Sequence, residues 1–206
     1  MNFNKHLDLE GKHAFLSASK YSWLNYDNDK LVNAYISSYG QQIGTLLHEY
    51  AKDHIRFGIK MSKSDKHNVL LHLLKNGIPS QVIDIEFLFP NLMTYVNDAI
   101  GFRMEPEQVL RYSDNCFGTA DSIAFRNNFL RIHDYKSGIT PAHMEQLEIY
   151  SGLFCLEYKI KPSDIQTELR IYQANEVVVY NPEPNRILTV CNKIVESDNI
   201  LLTLTR

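Results

Sequence analysis

The chain has 206 residues, of which 44% are hydrophobic and 22% charged, and its formal net charge is −3. That balance fits one globular domain with a real core and excludes extensive disorder. It predicts no strong long-range attraction to nucleic acid, so a partner of that kind has to be held by a local patch or through a metal. No apolar run reaches the roughly 20 residues of a membrane span, and the opening MNFNKHLDLEGKH lacks the apolar stretch of a secretory signal. The expectation is a cytoplasmic protein with no membrane partner. Cys116, Cys155 and Cys191 are odd in number and widely spaced, which offers neither a disulfide framework nor a paired-cysteine metal site.

In chain order, LSASKYSWLNYD (16–27) predicts a short helix capped by Ser17 or Ser19. The run from Leu31 to Gly58 reads as helix, interrupted near Ser38 to Gly40, with an apolar stripe of Ile43, Leu46, Leu47, Tyr50 and Ala51. Gly58 is its C-terminal stop. Residues 63–76 predict another helix, ended by Gly77 and Pro79, and one or two shorter helices follow over 80–101 with Pro90 as a break. Between Ala51 and Asn76 lie six basic residues against Asp53 and Asp65, a run that reads either as a solvated helical face or as a phosphate-tracking surface.

From Met104 the period changes to two. A strand through 108–112 is followed by GTADSIAF (118–125) and NFLRIHDYK (128–136), joined by a polar connection at Arg126-Asn127-Asn128 that is short enough for a hairpin. AHMEQLEIYSGLFCLEY (142–158) reads as an amphipathic helix, TELRIYQ and EVVVY as strands, and about 185–198 as a final helix. The expected fold is α/β (α+β): a single domain, 1–206, with a mainly helical section over 1–101 and a sheet core over 102–206.

The hairpin carries charges where burial is expected. Residues two apart on a strand share a face, so Asp134 and Lys136 point together, and a turn at 126–128 brings Asp121 near Asp134. Two buried carboxylates repel, and a divalent cation resolves that conflict. Oxygen ligation of this kind suits Mg²⁺ or Mn²⁺. Lys136 beside it supplies positive charge for a phosphate oxygen or an attacking water. On the next helix, Gln146 and Tyr150 stand at i and i+4, on one face. Earlier, in GTLLHEYA (44–51), His48 offers a nitrogen ligand and Gly44 permits close approach of another backbone. Glu49 and Asp53 rank below His48 as candidates.

Taken together, GTLLH (44–48), GTAD (118–121), HDYKSG (133–138) and QLEIY (146–150) resemble the RecB-like branch of the PD-(D/E)XK nuclease superfamily. The whole chain is similar to a stand-alone phage-type exonuclease of that group. The resemblance implies a restriction-endonuclease-like mixed sheet flanked by helices, and a Mg²⁺- or Mn²⁺-dependent deoxyribonuclease acting in phage recombination, replication or repair. It implies His48, Asp121, Asp134 and the Tyr135 carbonyl as metal ligands. Lys136 would activate water, and Gln146 and Tyr150 would position DNA and the lysine. The acidic residue that often follows the histidine by four is Lys52 here, and the four cysteines of iron–sulfur relatives are absent, so no cluster is expected. DNA is the expected partner, with a homo-oligomer or a recombination protein as further possibilities. Two alternatives stand beside it: a non-catalytic DNA-binding or protein-interaction module on the same fold, and a restriction-like endonuclease.

Overall fold

In the computed structural model, residues 4–12 and 14–204 are described, and the chain clusters into two compact units divided between Gln42 and Ile43. The first unit holds short 3-10 segments and helix α1 (Asn28–Ser38), which Asp27 caps by accepting from the Lys30 amide at 2.8 Å. The predicted serine cap nearby does not form. Ser17 Oγ contacts Ser19 Oγ instead, and a non-helical Lys20 kinks the 3-10 segment Ala18–Asn25. Helix α2 (Gly40–Phe57) begins after the break at Tyr39 and buries Ile43, Leu47, Ala51 and Ile55, one residue per turn on one stripe.

The second unit adds α3 (Lys66–Lys75) and α4 (Ile85–Gly101). Contrary to the expected break, α4 runs straight through Pro90. The one hydrogen bond that Pro90 forfeits is to the carbonyl of Glu86, in the exposed first turn where water can replace it. Next come β1 (Glu105–Arg111), β2 (Phe117–Arg126), β3 (Phe129–Tyr135), α5 (Glu145–Glu157), β4 (Gln166–Gln173), β5 (Glu176–Tyr180) and α6 (Pro184–Leu204). The strands form one mixed sheet in the order β1-β2-β3-β4-β5, antiparallel except for the parallel pair β3 and β4. A parallel pair needs a crossover, and α5 is that crossover. The β2–β3 turn is Asn127-Asn128, both with positive φ (52° and 57°), as a two-residue hairpin requires.

Helices cover both faces. α5 and α6 bury Leu110, Ala120, Ile132, Leu169 and Ile171 against Leu147, Leu153 and Ile187. On the opposite face the fully buried Tyr135 stacks on Tyr95 of α4 and donates to the Leu88 carbonyl at 3.2 Å. Cys116, Cys155 and Cys191 are free thiols. Among the described residues, no helix is long and apolar enough to cross a membrane.

Candidate metal centre

The β2–β3 ladder ends at the pair Ser122↔His133, so the next residues, Asp121 and Asp134, are neighbours across the two strands. The Tyr135 amide seals this end by donating to Asp121 Oδ2 at 2.9 Å. On the other side of β2 the β1 ladder pairs Pro106↔Ser122 and Gln108↔Ala120, which sets Glu107 level with Asp121. Three carboxylates therefore stand in a row across β1, β2 and β3.

Glu107 has a positive φ of 54° in the middle of its strand. For a residue with a Cβ this costs on the order of 1 kcal/mol or more, and such outliers persist where the surroundings over-determine them. Its effect is visible in the side chains: Glu105 and Gln108, three apart rather than two, open to the same cleft with Ile123 and Leu110. The face alternation is reset at Glu107, so both halves of β1 keep their packing while the kink turns a carboxylate toward the site.

His48 enters from α2. Its Nδ1 lies 3.4 Å from Asp121 Oδ2, and its ring meets that of Tyr135 edge-on at 5.7 Å. Gly44, one turn earlier, lets α2 pass close to Ser137, since a Cβ there would sit 3.1 Å from Ser137 Oγ, a tight contact. The close approach is thus to a side chain, not to the backbone that the sequence suggested. Ligand atoms of His48, Glu107 and Asp121 all lie within 4.8 Å of one another.

Asp134 is held differently. Only 1% of its side chain is exposed, and Lys136 Nζ stands 3.0 Å from Oδ1 and 2.9 Å from Oδ2. The approach to Oδ2 is an ion-pair contact without hydrogen-bond geometry, so Oδ2 is a buried acceptor with no donor. Lys136 also donates to Gln146 Oε1 at 3.0 Å, and Gln146 Nε2 donates to the Tyr150 hydroxyl at 3.2 Å. Gln146 and Tyr150 therefore hold the lysine. Tyr150 in turn lies against Gly118, where a Cβ would be 2.9 Å from its ring. Glu49 and Asp53 are exposed and outside the group, and His133 faces the opposite way, toward Tyr172.

Electrostatics follow from burial. Desolvation pushes Asp121 up to about 7 despite the Tyr135 amide and Lys136, and pushes Asp134 up to about 7 with help from the charge on Asp121. Burial lowers the pKa of His48, against the pull of Asp134 and Glu107. Near neutral pH the ring is therefore neutral and has a lone pair to give, and the carboxyls lose their protons readily to a competing cation.

These residues fit a divalent metal. They supply one imidazole, two carboxylates within reach of one point, and a third carboxylate whose inner oxygen has no donor. Oxygen-rich ligation with one nitrogen suits Mg²⁺ or Mn²⁺. The sequence identified His48, Asp121, Asp134, Lys136, Gln146 and Tyr150, and the structure brings them together. The Tyr135 amide donates to Asp121, and the Tyr135 carbonyl faces the His48 ring as an acceptor. Glu107 was missed, because its place level with Asp121 follows from the β1–β2 pairing and its positive φ.

No family model and no curated protein matches this chain. Among solved structures, the crystal structure of SSO0001 is similar over 75% of this chain and 86% of that one, at 13% identity and a TM-score of 0.31, a likeness too low to carry an argument.

Proposed function

We propose that the protein is a metal-dependent nuclease that hydrolyses DNA phosphodiester bonds, in the manner of the RecB-like PD-(D/E)XK enzymes its motifs resemble. The observation that carries this reading is the convergence of His48, Glu107 and Asp121 within 4.8 Å of one another, beside a lysine fixed by Asp134 and Gln146. A divalent cation bound there would polarise a phosphoryl oxygen and lower the pKa of a water. Every other element of the reaction belongs to the chain.

His48, Glu107 and Asp121 would hold the ion, and Asp134 Oδ2 is the acceptor left over for it or for a water. Lys136 sits with its Nζ pinned between Asp134 and Gln146, 30% exposed, so its remaining N–H can meet a phosphate oxygen without reorganisation. An ammonium at that point stabilises charge that grows on the phosphoryl oxygens during in-line attack. Tyr150 and Gln146 are positioning residues: they fix the lysine and add no charge. If cleavage follows the resembled family, the product carries a 5′-phosphate.

The test is incubation of the protein with end-labelled linear and closed circular DNA, in Mg²⁺, in Mn²⁺ and in chelator. The expected result is cleavage that needs the metal, and loss of it in Lys136→Ala with thermal unfolding broadly intact. Degradation restricted to the linear substrate assigns an end-dependent exonuclease, and nicking of circles assigns an endonuclease. Absence of cleavage under every condition sinks the proposal.

A further inference from the structure

Charge is segregated along this chain. Of its 21 Lys and Arg and 24 Asp and Glu, residues 51–76 hold six and two, which leaves 15 against 22 elsewhere. A protein that is acidic overall concentrates its positive charge in one helical hairpin, α2 and α3 with the short connection between them.

The same α2 carries His48. Lys52 follows His48 by one turn and Arg56 follows Lys52 by another, so the row starts at the metal centre and swings outward from the buried stripe of Leu47, Ala51 and Ile55. α3 touches α2 where the Tyr50 ring meets His72 edge-on at 5.1 Å. Lys75 follows His72 by one turn on α3, and Lys60 and Lys63 stand in the connection between the helices. Arg56, Lys60, Lys63 and Lys75 are exposed and Lys52 is half-buried. Among the described residues, these five make no salt bridge, whereas Lys66 of the same stretch is neutralised by Glu86 at 2.6 Å. A charge run that is only a solvated face usually carries compensating acids at i+3 or i+4, as Lys193 and Glu196 do elsewhere in this chain. Here acids do stand at that spacing, Glu49 three before Lys52 and Asp53 three before Arg56, but among the described residues neither forms a salt bridge with its basic neighbour.

We propose that the α2–α3 hairpin is the nucleic-acid track of the site: Lys52 and Arg56 hold the phosphates next to the scissile bond, and Lys60, Lys63 and Lys75 hold those further out. The inference rests on the phosphodiester-hydrolase reading for its choice of partner. Free cations in an otherwise acidic molecule give phosphate binding that is sequence-independent and strongly salt-dependent, because each neutralised phosphate releases a counterion. The rest of the chain is net acidic, 15 Lys and Arg against 22 Asp and Glu, so a strand is favoured along this row, which leads to the metal centre.

The experiment keeps binding apart from cleavage. Fluorescence anisotropy of a labelled DNA is measured in chelator over a series of salt concentrations, for wild type and for the combined variant Lys52→Gln, Arg56→Gln, Lys60→Gln, Lys63→Gln. Wild type should bind with log K falling linearly with log salt. The variant should bind at least about tenfold more weakly at low salt, with a slope shallower by about 3, since each lost contact removes about 0.7 to 0.9. Its Mn²⁺ affinity and its unfolding temperature should match wild type, because none of the four touches the metal group. DNA binding with wild-type affinity and slope in the variant overturns the proposal, as does a wild type that binds anionic phospholipid vesicles and no DNA. If wild type binds DNA along this row yet cuts none, the track stands and the hydrolase reading falls. If it cuts DNA and the variant binds undiminished, the hydrolase stands and the track falls.

Discussion

At the scale of single residues, Glu107 is the most informative position, because it combines a left-handed backbone with a carboxylate facing Asp121 and His48. A strand residue is held in that conformation at a cost, and the side chain it aims is the one the metal group needs. Replacement by Gln keeps size and shape while removing charge. Glu107→Gln should lower Mn²⁺ affinity by about tenfold or more, read by electron paramagnetic resonance titration, with unfolding in chelator unchanged or raised. Unchanged Mn²⁺ affinity would remove Glu107 from the site. Asp121 and Asp134 were legible from the sequence because a separation of thirteen positions, centred on a two-residue turn, brings antiparallel strands back to the same level. Glu107 was not, because its place opposite Asp121 depends on the β1–β2 pairing and on a backbone outlier that no periodicity announces. A strict alternation counted from Met104 gives no reason to expect a reset at Glu107.

At the scale of elements, the site is assembled where helices meet the middle of β2 and the C-terminal end of β3. α2 brings His48 against the Tyr135 ring, and α5 brings Gln146 and Tyr150 to Lys136. The crossover that makes β3 and β4 parallel also fixes Lys136, whose amide donates to the Tyr172 carbonyl at 3.0 Å. Most of these elements were readable as patterns of apolar spacing. Their exceptions have local causes: the one carbonyl that Pro90 leaves unpaired belongs to the exposed Glu86, and Ser17 does not cap because the segment is a kinked 3-10 turn. The absence of a side chain at Gly118 is what admits Tyr150. Gly118→Ala should therefore displace the ring, loosen Gln146 and lower kcat by about tenfold or more, with KM little changed. Steady-state kinetics checks this, and an unaltered kcat would show that Tyr150 does not position the lysine.

At the scale of the whole molecule, the candidate metal centre and the basic stretch 51–76 both fall in the unit that begins at Ile43, and two carboxyls of that candidate centre make stability depend on pH. Asp121 and Asp134 have folded pKa values raised to about 7 from the ordinary 3.8. Between those pH values the folded state keeps protons that the unfolded state has released, so their contribution is full below pH 4 and is lost as pH rises through 7. Unfolding temperature in chelator should therefore fall between pH 4 and 7 by roughly 5 °C or more, and saturating Mg²⁺ should flatten that fall. Asp134→Asn should raise the unfolding temperature in chelator at pH 7 while abolishing cleavage, as expected of a residue kept for chemistry rather than for the fold. A metal-free protein whose stability does not change over this range would mean that the carboxyls are not strained. The central claim, that this site hydrolyses phosphodiesters with a divalent metal, is tested most directly by single-turnover cleavage of end-labelled DNA in Mn²⁺, with Asp121→Asn beside wild type. The account predicts metal-dependent cleavage by wild type and none above background by the variant. Equal cleavage by both, or cleavage that survives chelator, would contradict it.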